Sequence, residues 1–456
     1  MSEKHVPFFP ALTGLIVTAA AMFLALVVFD LSPRLPLLLG SVVSAIIAFT
    51  HGYPCKEILG GMWQGIRRSL TAIVILLLIG VLMGVWLTAG VVPAMVYYGL
   101  RLISPRLFLS SATLVCAIIS MALGSWGTAG TVGLAFMGMA QAMGIPPAMT
   151  AGAVISGSYV GDKLSPMADS TNLASAVAEV NIFDNIRNIF KVAASMLLLC
   201  LGLYAALGWK YGGSVTAEAM ENVAIVQNTL SDSFTLNVWS FLPLFLLLIC
   251  ILCKLPAIPA IAIGAVSGGI YGAVAQRAAL GDILRSALTG YVGHSGVALV
   301  DELLSAGGIT SMLYSVSIVI LAMAYGGVME STGQMEVLVA PLMKKIHSWV
   351  GLMTATVATC IGVNIVLPDQ YIAIALPGRL YAAQYDKQGM SRKDLALGIG
   401  VGGALTSALV PWNTCGVFMA SVLGVSAFAY LPFTFYNCGM LFAAVIYAAI
   451  RQKNHK

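Results

Sequence analysis

With 456 residues, 59% of them hydrophobic and only 9% charged, and a mean hydropathy of +0.94, the chain lies far from a soluble domain, where roughly a quarter of residues carry charge. The expected fold class is an all-α polytopic membrane protein, a single integral membrane domain over residues 1–456 with no polar stretch long enough for an independent soluble domain. The net charge of +5 gives no case for nucleic acid, because in a membrane protein the placement of Lys and Arg matters more than their sum.

Apolar runs long enough to cross a bilayer, about 17 to 25 residues, begin near Phe9 to Phe29, Leu35 to Phe49 and Leu70 to Gly90. They continue near Val192 to Leu207, Val238 to Cys253, Pro256 to Ala275, Met312 to Met329 and Ala429 to Ile450. The first run follows a nearly uncharged start and has no small-residue cleavage site after it, so a retained helix is expected rather than a signal peptide. Two further stretches, Leu107 to Met143 and Val350 to Tyr385, are interrupted by GSWGTAGTVG and NIVLPDQ. A re-entrant hairpin accommodates such interruptions better than a plain span. Most of the eight cysteines sit in apolar runs as small hydrophobes, and Cys250 and Cys253, spaced CxxC, lack a second pair or nearby His.

The halves resemble each other. GVWLTAG (Gly84 to Gly90) echoes GVMESTG (Gly327 to Gly333), and each is followed by a basic loop, an interrupted stretch and a polar, helix-breaking segment. This order predicts an internal repeat of about 100 residues, at 70–180 and 312–425, of inverted topology with a site where the repeats meet. An N-terminus in the cytoplasm and hairpins entering from opposite sides would put fifteen cations inside: Lys4, Lys56, Arg67, Arg68, Arg187, Lys191, Lys254, Lys344, Lys345, Lys387, Arg392, Lys393, Arg451, Lys453 and Lys456. Only Arg34, Arg101, Arg106, Lys210, Arg277 and Arg285 would face outward. That asymmetry favours about ten spans plus two hairpins with both termini cytoplasmic.

The segment GDKLSPMADSTN (Gly161 to Asn172) places carboxylates, hydroxyls and a proline in apolar surroundings, where such groups are costly unless they handle ions or substrate. A helix starting near Met149 is expected to unwind at Ser165-Pro166 and resume near Asn172, freeing carbonyls beside Asp162, Asp169, Ser170 and Thr171. Such oxygens can ligate sodium, and a carboxylate in low dielectric binds a proton more tightly than in water. Lys163 complicates this: it could hold Asp162 ionised or release a proton itself. The bland alternative is a solvated Gly-Asp-Lys loop.

Downstream, Val410 to Gly416 (VPWNTCG) supplies Pro411, Asn413 and Thr414 but no acid. The second-half carboxylate is Asp369, near a hairpin tip with Asn364 and Gln370, and Arg379 is a candidate partner in what could be a purely structural pair. Ser125, Thr128 and Thr131 are placed at the first hairpin tip, although hydroxyls in membrane helices often only bond back to their own helix. Glu330, Asp30 and Asp301-Glu302 are taken as boundary charges and His294 as structural. Trp126 and Trp412 could stack on a substrate, but packing is the commoner use.

The segments Ser156 to Ala174, GSWGTAGTVG, Leu367 to Tyr381 and Leu409 to Val425 closely resemble the NhaC family of sodium/proton antiporters, in the ion transporter superfamily, over roughly Leu70 to Tyr447. The resemblance implies a bacterial inner-membrane protein of two inverted repeats, a homodimer with a scaffold and an elevator-like transport domain. It also implies sodium and protons as coupling or transported ions, with no organic cofactor. Met167-Ala168-Asp169 departs from the expected Leu-Ser-Asp by one hydroxyl. Similar members exchange malate for lactate or carry amino acids with sodium. Two readings therefore stand: sodium/proton antiport, or a sodium-coupled carrier of an organic anion or amino acid whose carboxylate sits at half-helix N-termini near Asn172 or Asn413. A channel would need a symmetric filter, and no nucleophile motif or His-rich site points to a membrane enzyme.

Overall fold

The computed structural model describes residues 6–29, 31–212, 217–253, 255–339 and 348–455. Lys4, Asp30, Lys254, Lys344, Lys345 and Lys456, used above in the charge count or as boundary charges, lie outside them. The described residues are helical throughout except for loops and one isolated bridge, Tyr291 with Ala306, as an all-α polytopic membrane protein requires. Among the described residues, seven helices are by length and composition apolar enough to span a membrane, or up to nine if each of two sharply bent pairs makes one span. The run near Leu35 forms Arg34–Thr50, an apolar helix of 17 residues, and the run near Ala429 forms the short Ala427–Tyr430 followed by Phe435–His455.

The basic stretch before Leu70 is not a loop. Cys55–Arg68 and Leu70–Thr88 join into one 34-residue helix, whose first part is amphipathic. It packs antiparallel to Ile309–Ser331: Gly65 lies against Met323 and Gly327, and further along Gly80 lies against Gly308 and Met312.

The Leu107 to Met143 stretch forms helices Phe108–Thr128 and Leu134–Ala142 with a π-helical turn at Ala129–Gly133. Gly124 sits at φ 67°, ψ 176°, a conformation open to glycine because a Cβ would clash there. The chain reverses at that point. Phe108 and Phe136 rings meet edge-to-face at 5.7 Å, whereas a straight helix would hold them about 40 Å apart. The second interrupted stretch does the same: Trp349–Val366 and Gln370–Lys387 fold back so that Thr356 meets Tyr385 at 3.2 Å and Thr359 meets Tyr381 at 2.9 Å.

Each hairpin is followed by a broken helix running parallel to its first arm. Pro147–Leu164 breaks at residues 165–168 and resumes as Asp169–Val177. It lies so close to the arm that Gly157 and Gly161 face the carbonyls of Thr113 and Ala117, where any side chain would collide. In the second half Arg392–Ile399 continues into a π-helical segment, Gly400–Leu405, before Thr414–Leu423 begins. There Gly398 lies against Met353 and Gly402 against Val357 and Cys360. The halves then interlock: Trp126 of the first hairpin stacks on Phe418 of the second broken helix, centroids 4.2 Å apart, and Gly378 of the second hairpin lies on Val177.

Candidate functional site

Because each broken helix runs parallel to its hairpin arm, the hairpin tip and the helix break reach the same depth. In the first half this brings Ser125 to Asp162. The Asp162 carboxylate is buried; its Oδ1 accepts from the Ser125 backbone N–H at 3.3 Å and the Ser125 hydroxyl at 3.4 Å, and its Oδ2 accepts from the Ser170 hydroxyl at 2.7 Å. Lys163 is 1% exposed; its Nζ donates to Ser170 Oγ at 2.6 Å and lies 3.5 Å from Asp162 Oδ2. Asp162 and Lys163 therefore end a helix in the interior, and the solvated-loop alternative is excluded. A buried charge pair at such depth holds only because hydrogen bonds complete it, here through Ser170.

The break itself is braced by its own polar residues. Thr171 donates to the Asp162 carbonyl at 3.0 Å, Ser165 to the Met121 carbonyl at 2.6 Å, and Asn172 to the carbonyls of Pro166 and Ala168 at 2.9 and 3.0 Å. Ser165, Thr171 and Asn172 thus satisfy backbone groups that unwinding exposes. Asp169 starts the resumed helix, exposed, its side chain with no hydrogen bond or ion pair among the described residues.

The second half is built differently. Asp369 caps Gln370–Lys387, accepting from the backbone N–H groups of Tyr371 at 2.8 Å and Ile372 at 3.0 Å. Asn364 ties the hairpin to the broken helix: its Nδ2 donates to the Gly403 carbonyl at 2.6 Å and to Thr406 at 2.9 Å, while its Oδ1 accepts from Asn413 at 2.9 Å. Asn413 caps Thr414–Leu423 through the Cys415 N–H, and the Thr414 N–H donates to the Pro368 carbonyl at 3.0 Å. Asn364 and Asn413 therefore serve as cross-braces rather than as groups facing open space.

The expected pair of Asp369 with Arg379 does not form. Ten residues along a helix is about 15 Å, and Arg379 is exposed on the returning arm. The cation that lines the same cavity as Asp369 is Arg68, which forms an ion pair with Glu330. Glu330 is thus a partner of Arg68 rather than a lone boundary charge. Thr128 and Thr131 bond back to the carbonyls of Gly124 and Gly127, the structural use. Trp126 packs on Phe418, and Trp412 Nε1 donates to the Ile365 carbonyl at 2.7 Å. Asp301 likewise is no mere boundary charge: it accepts from the Ser295 backbone N–H at 2.6 Å and the Ser295 hydroxyl at 2.7 Å, closing the loop that holds His294.

One cavity of about 740 Å³ joins the two halves. Ser125, Asp162, Ser165, Asp169 and Ser170 line it from the first half, and Asp369, Gln370, Tyr371 and Thr414 from the second. Thr131 also reaches it; Thr128, Lys163, Thr171, Asn172, Asn364, Asn413 and Arg379 do not. Arg68, already committed to Glu330, is the cation of its wall, and Lys163 behind the wall compensates Asp162, so Asp169 and Asp369 are left to give the cavity a negative field that concentrates cations. Sequence reasoning missed Arg68 and Tyr371 as wall residues. The amphipathic period of Cys55–Arg68 was the available signal for Arg68; for Tyr371 there was none beyond its adjacency to Asp369.

The Na+/H+ antiporter family matches residues 3–171 and 157–450. The chain belongs to this family. Among its relatives, the Na+/H+ antiporter NhaC of Bacillus subtilis is 35% identical over 95% of this chain and 96% of its own length. The malate-2H+/Na+-lactate antiporter of the same organism is 34% identical over 95% and 93%, respectively. The arginine/ornithine antiporter ArcD of Halobacterium salinarum is 33% identical over 95% and 90%. As a multi-pass antiporter-family protein the chain is a transporter embedded in lipid.

The cap geometry carries a prediction of its own. Asp369→Ala removes the one oxygen that accepts both N–H groups at the start of Gln370–Lys387 and costs about 0.5–2 kcal/mol. Asp369→Asn keeps an acceptor and leaves stability near wild type, measured by thermal unfolding in detergent. Equal losses in both variants would mean that the charge, not the cap, is what the fold uses.

Proposed function

We propose that this protein is a secondary active transporter that exports Na+ in exchange for H+ by alternating access. The observation that carries this reading is the Asp162 carboxylate, buried where hairpin tip and helix break meet, ringed by hydroxyls and open to a cavity with two more acids. Sodium takes carboxylate, hydroxyl and carbonyl oxygens, and a proton takes the same carboxylate, so one site holds either cation but not both. Exposing that site to each side in turn makes exchange obligatory. Asp169 and Asp369 share the cavity and serve as further cation ligands or proton carriers, and Lys163 sets the charge of the empty site.

In the same proposal, residues 70–180 and 312–425 are repeats of inverted topology. The matching order of hairpin and broken helix, and the contact of each hairpin with the other half's broken helix, support it. Both termini are placed in the cytoplasm, the protein in the bacterial inner membrane, and the assembly as a homodimer that moves its transport domain like an elevator. Mass measurement in native detergent micelles tests the dimer.

A second reading is favoured by the size of the cavity. About 740 Å³ falls among small-molecule sites, about 300–1,000 Å³, and far exceeds what a bare ion fills. A sodium-coupled exchange of a small organic acid or amino acid would use it, in line with the malate/lactate and arginine/ornithine relatives. Purified protein in sealed liposomes loaded with a pH dye separates the two. Proton movement on addition of sodium alone supports Na+/H+ antiport; silence until one carboxylic or amino acid is added overturns it and identifies the organic cargo.

A further inference from the structure

A second cavity, about 280 Å³, lies away from the acidic one, between the N-terminal helices Phe8–Phe23 and Arg34–Thr50 and the tip of the second hairpin. Its walls are almost wholly apolar: Met22, Leu26 and Leu37 face Val366 and the Trp412 ring. At its mouth Phe23, Ile365 and Phe428 are exposed, at 59%, 42% and 53%. On a membrane-spanning protein such a mouth opens on hydrocarbon rather than water, and of its two hydroxyl-bearing residues the Tyr325 hydroxyl is buried without a hydrogen-bond partner among the described residues. Thr18 bonds back to the Gly14 carbonyl.

The groove has a direction. Gly40 packs on Thr18 and Tyr325, well inside the helix pair, whereas Leu26 and Leu37 lie close to the turn between the two helices. One helical turn before Leu37 is Arg34, whose Nε donates to Ser32 Oγ at 3.0 Å and whose guanidinium lies 4.2 Å over the Tyr314 ring. Among the described residues Arg34 has no carboxylate partner. An apolar slot leading inward from a guanidinium that has no carboxylate partner among the described residues has the outline of a phospholipid: a chain for the slot and a phosphate for the arginine.

The geometry points to a specific lipid site, in which one acyl chain of an anionic phospholipid occupies the groove beside Trp412 while its phosphate is held by Arg34 and Ser32. The occupant touches the hairpin tip through Val366 and the second helix break through Trp412, which are themselves joined by the bond from Trp412 to the Ile365 carbonyl. It therefore bears on the second-half elements that border the acidic cavity without entering that cavity.

Trp412 is the built-in probe. The protein is reconstituted in phosphatidylcholine with increasing fractions of acyl-brominated phosphatidylglycerol or acyl-brominated phosphatidylcholine. The Trp412 signal is the difference in fluorescence between wild type and Trp412→Phe. Brominated phosphatidylglycerol is expected to quench that signal at several-fold lower mole fraction than brominated phosphatidylcholine. Arg34→Gln should erase the difference between the two lipids, and Ala19→Phe, which fills the groove from its lipid-facing edge, should weaken quenching by both. Thermal unfolding of both variants checks that they are folded. Equal quenching by the two lipids in wild type, or quenching unchanged by Ala19→Phe, would overturn the site and leave ordinary boundary lipid.

Discussion

Asp162→Asn is expected to reduce sodium-driven proton movement to the background of empty liposomes, while the protein still inserts and purifies. The substitution keeps a side-chain oxygen where Ser125 donates at 3.3 and 3.4 Å, so the hairpin tip stays in contact with the helix break. What disappears is the charge for which, in the proposed exchange, sodium and proton compete. Ser125→Ala gives the scale for losing a neutral ligand: one hydroxyl is worth about 1 kcal/mol net, so apparent sodium affinity should fall less than about tenfold and maximal flux should persist. Wild-type flux in Asp162→Asn would remove this carboxylate from the mechanism. Asp169 and Asp369, on the same cavity, would then be the remaining carriers to substitute.

Much of this architecture is legible in the residues because membrane depth makes polar groups conspicuous. GSWGTAGTVG and LPDQ announce chain reversals, since glycine, proline and hydroxyls there have no other use at such density, and both stretches turn back on themselves. The unwinding at Ser165-Pro166 is legible for the same reason, with the resumed helix starting at Asp169, slightly before Asn172. The pairings are less legible. Arg379 attracts attention as the nearest cation following Asp369 in sequence, yet helical rise carries it away, and the cation that shares the cavity wall with Asp369 is Arg68, some three hundred residues earlier in the chain. Asn364 and Asn413 read as ligands by residue type, but only coordinates reveal that they bond to each other. Likewise the Arg67-Arg68 pair looks like the end of a span, when the helix passes straight through it toward Leu70. Residue type and local pattern are encoded along the chain; the partner across the fold is not.

Lys163 offers the second large effect, and it is on stability. With 1% exposure and one charged neighbour, this ammonium is stabilised by Asp162 and Ser170 alone. Lys163→Ala leaves the Asp162 carboxylate buried without its counter-charge, and breaking a buried pair from one side costs about 3–5 kcal/mol. Asp162→Asn strands the lysine in turn. The double variant Asp162→Asn/Lys163→Gln removes both charges and keeps hydrogen-bonding groups beside Ser170, so it should recover most of the loss, as replacement of a whole buried pair commonly does. Thermal or denaturant unfolding in detergent, run as a double-mutant cycle, reads the coupling directly as the departure from additivity. The double variant should be folded and inactive in liposomes, which separates the role of the pair in exchange from its role in the fold. Additive single losses would instead show that the two groups do not form an ion pair in the folded protein, so that Lys163 is held by Ser170 alone and the site carries its charge on Asp162 without compensation.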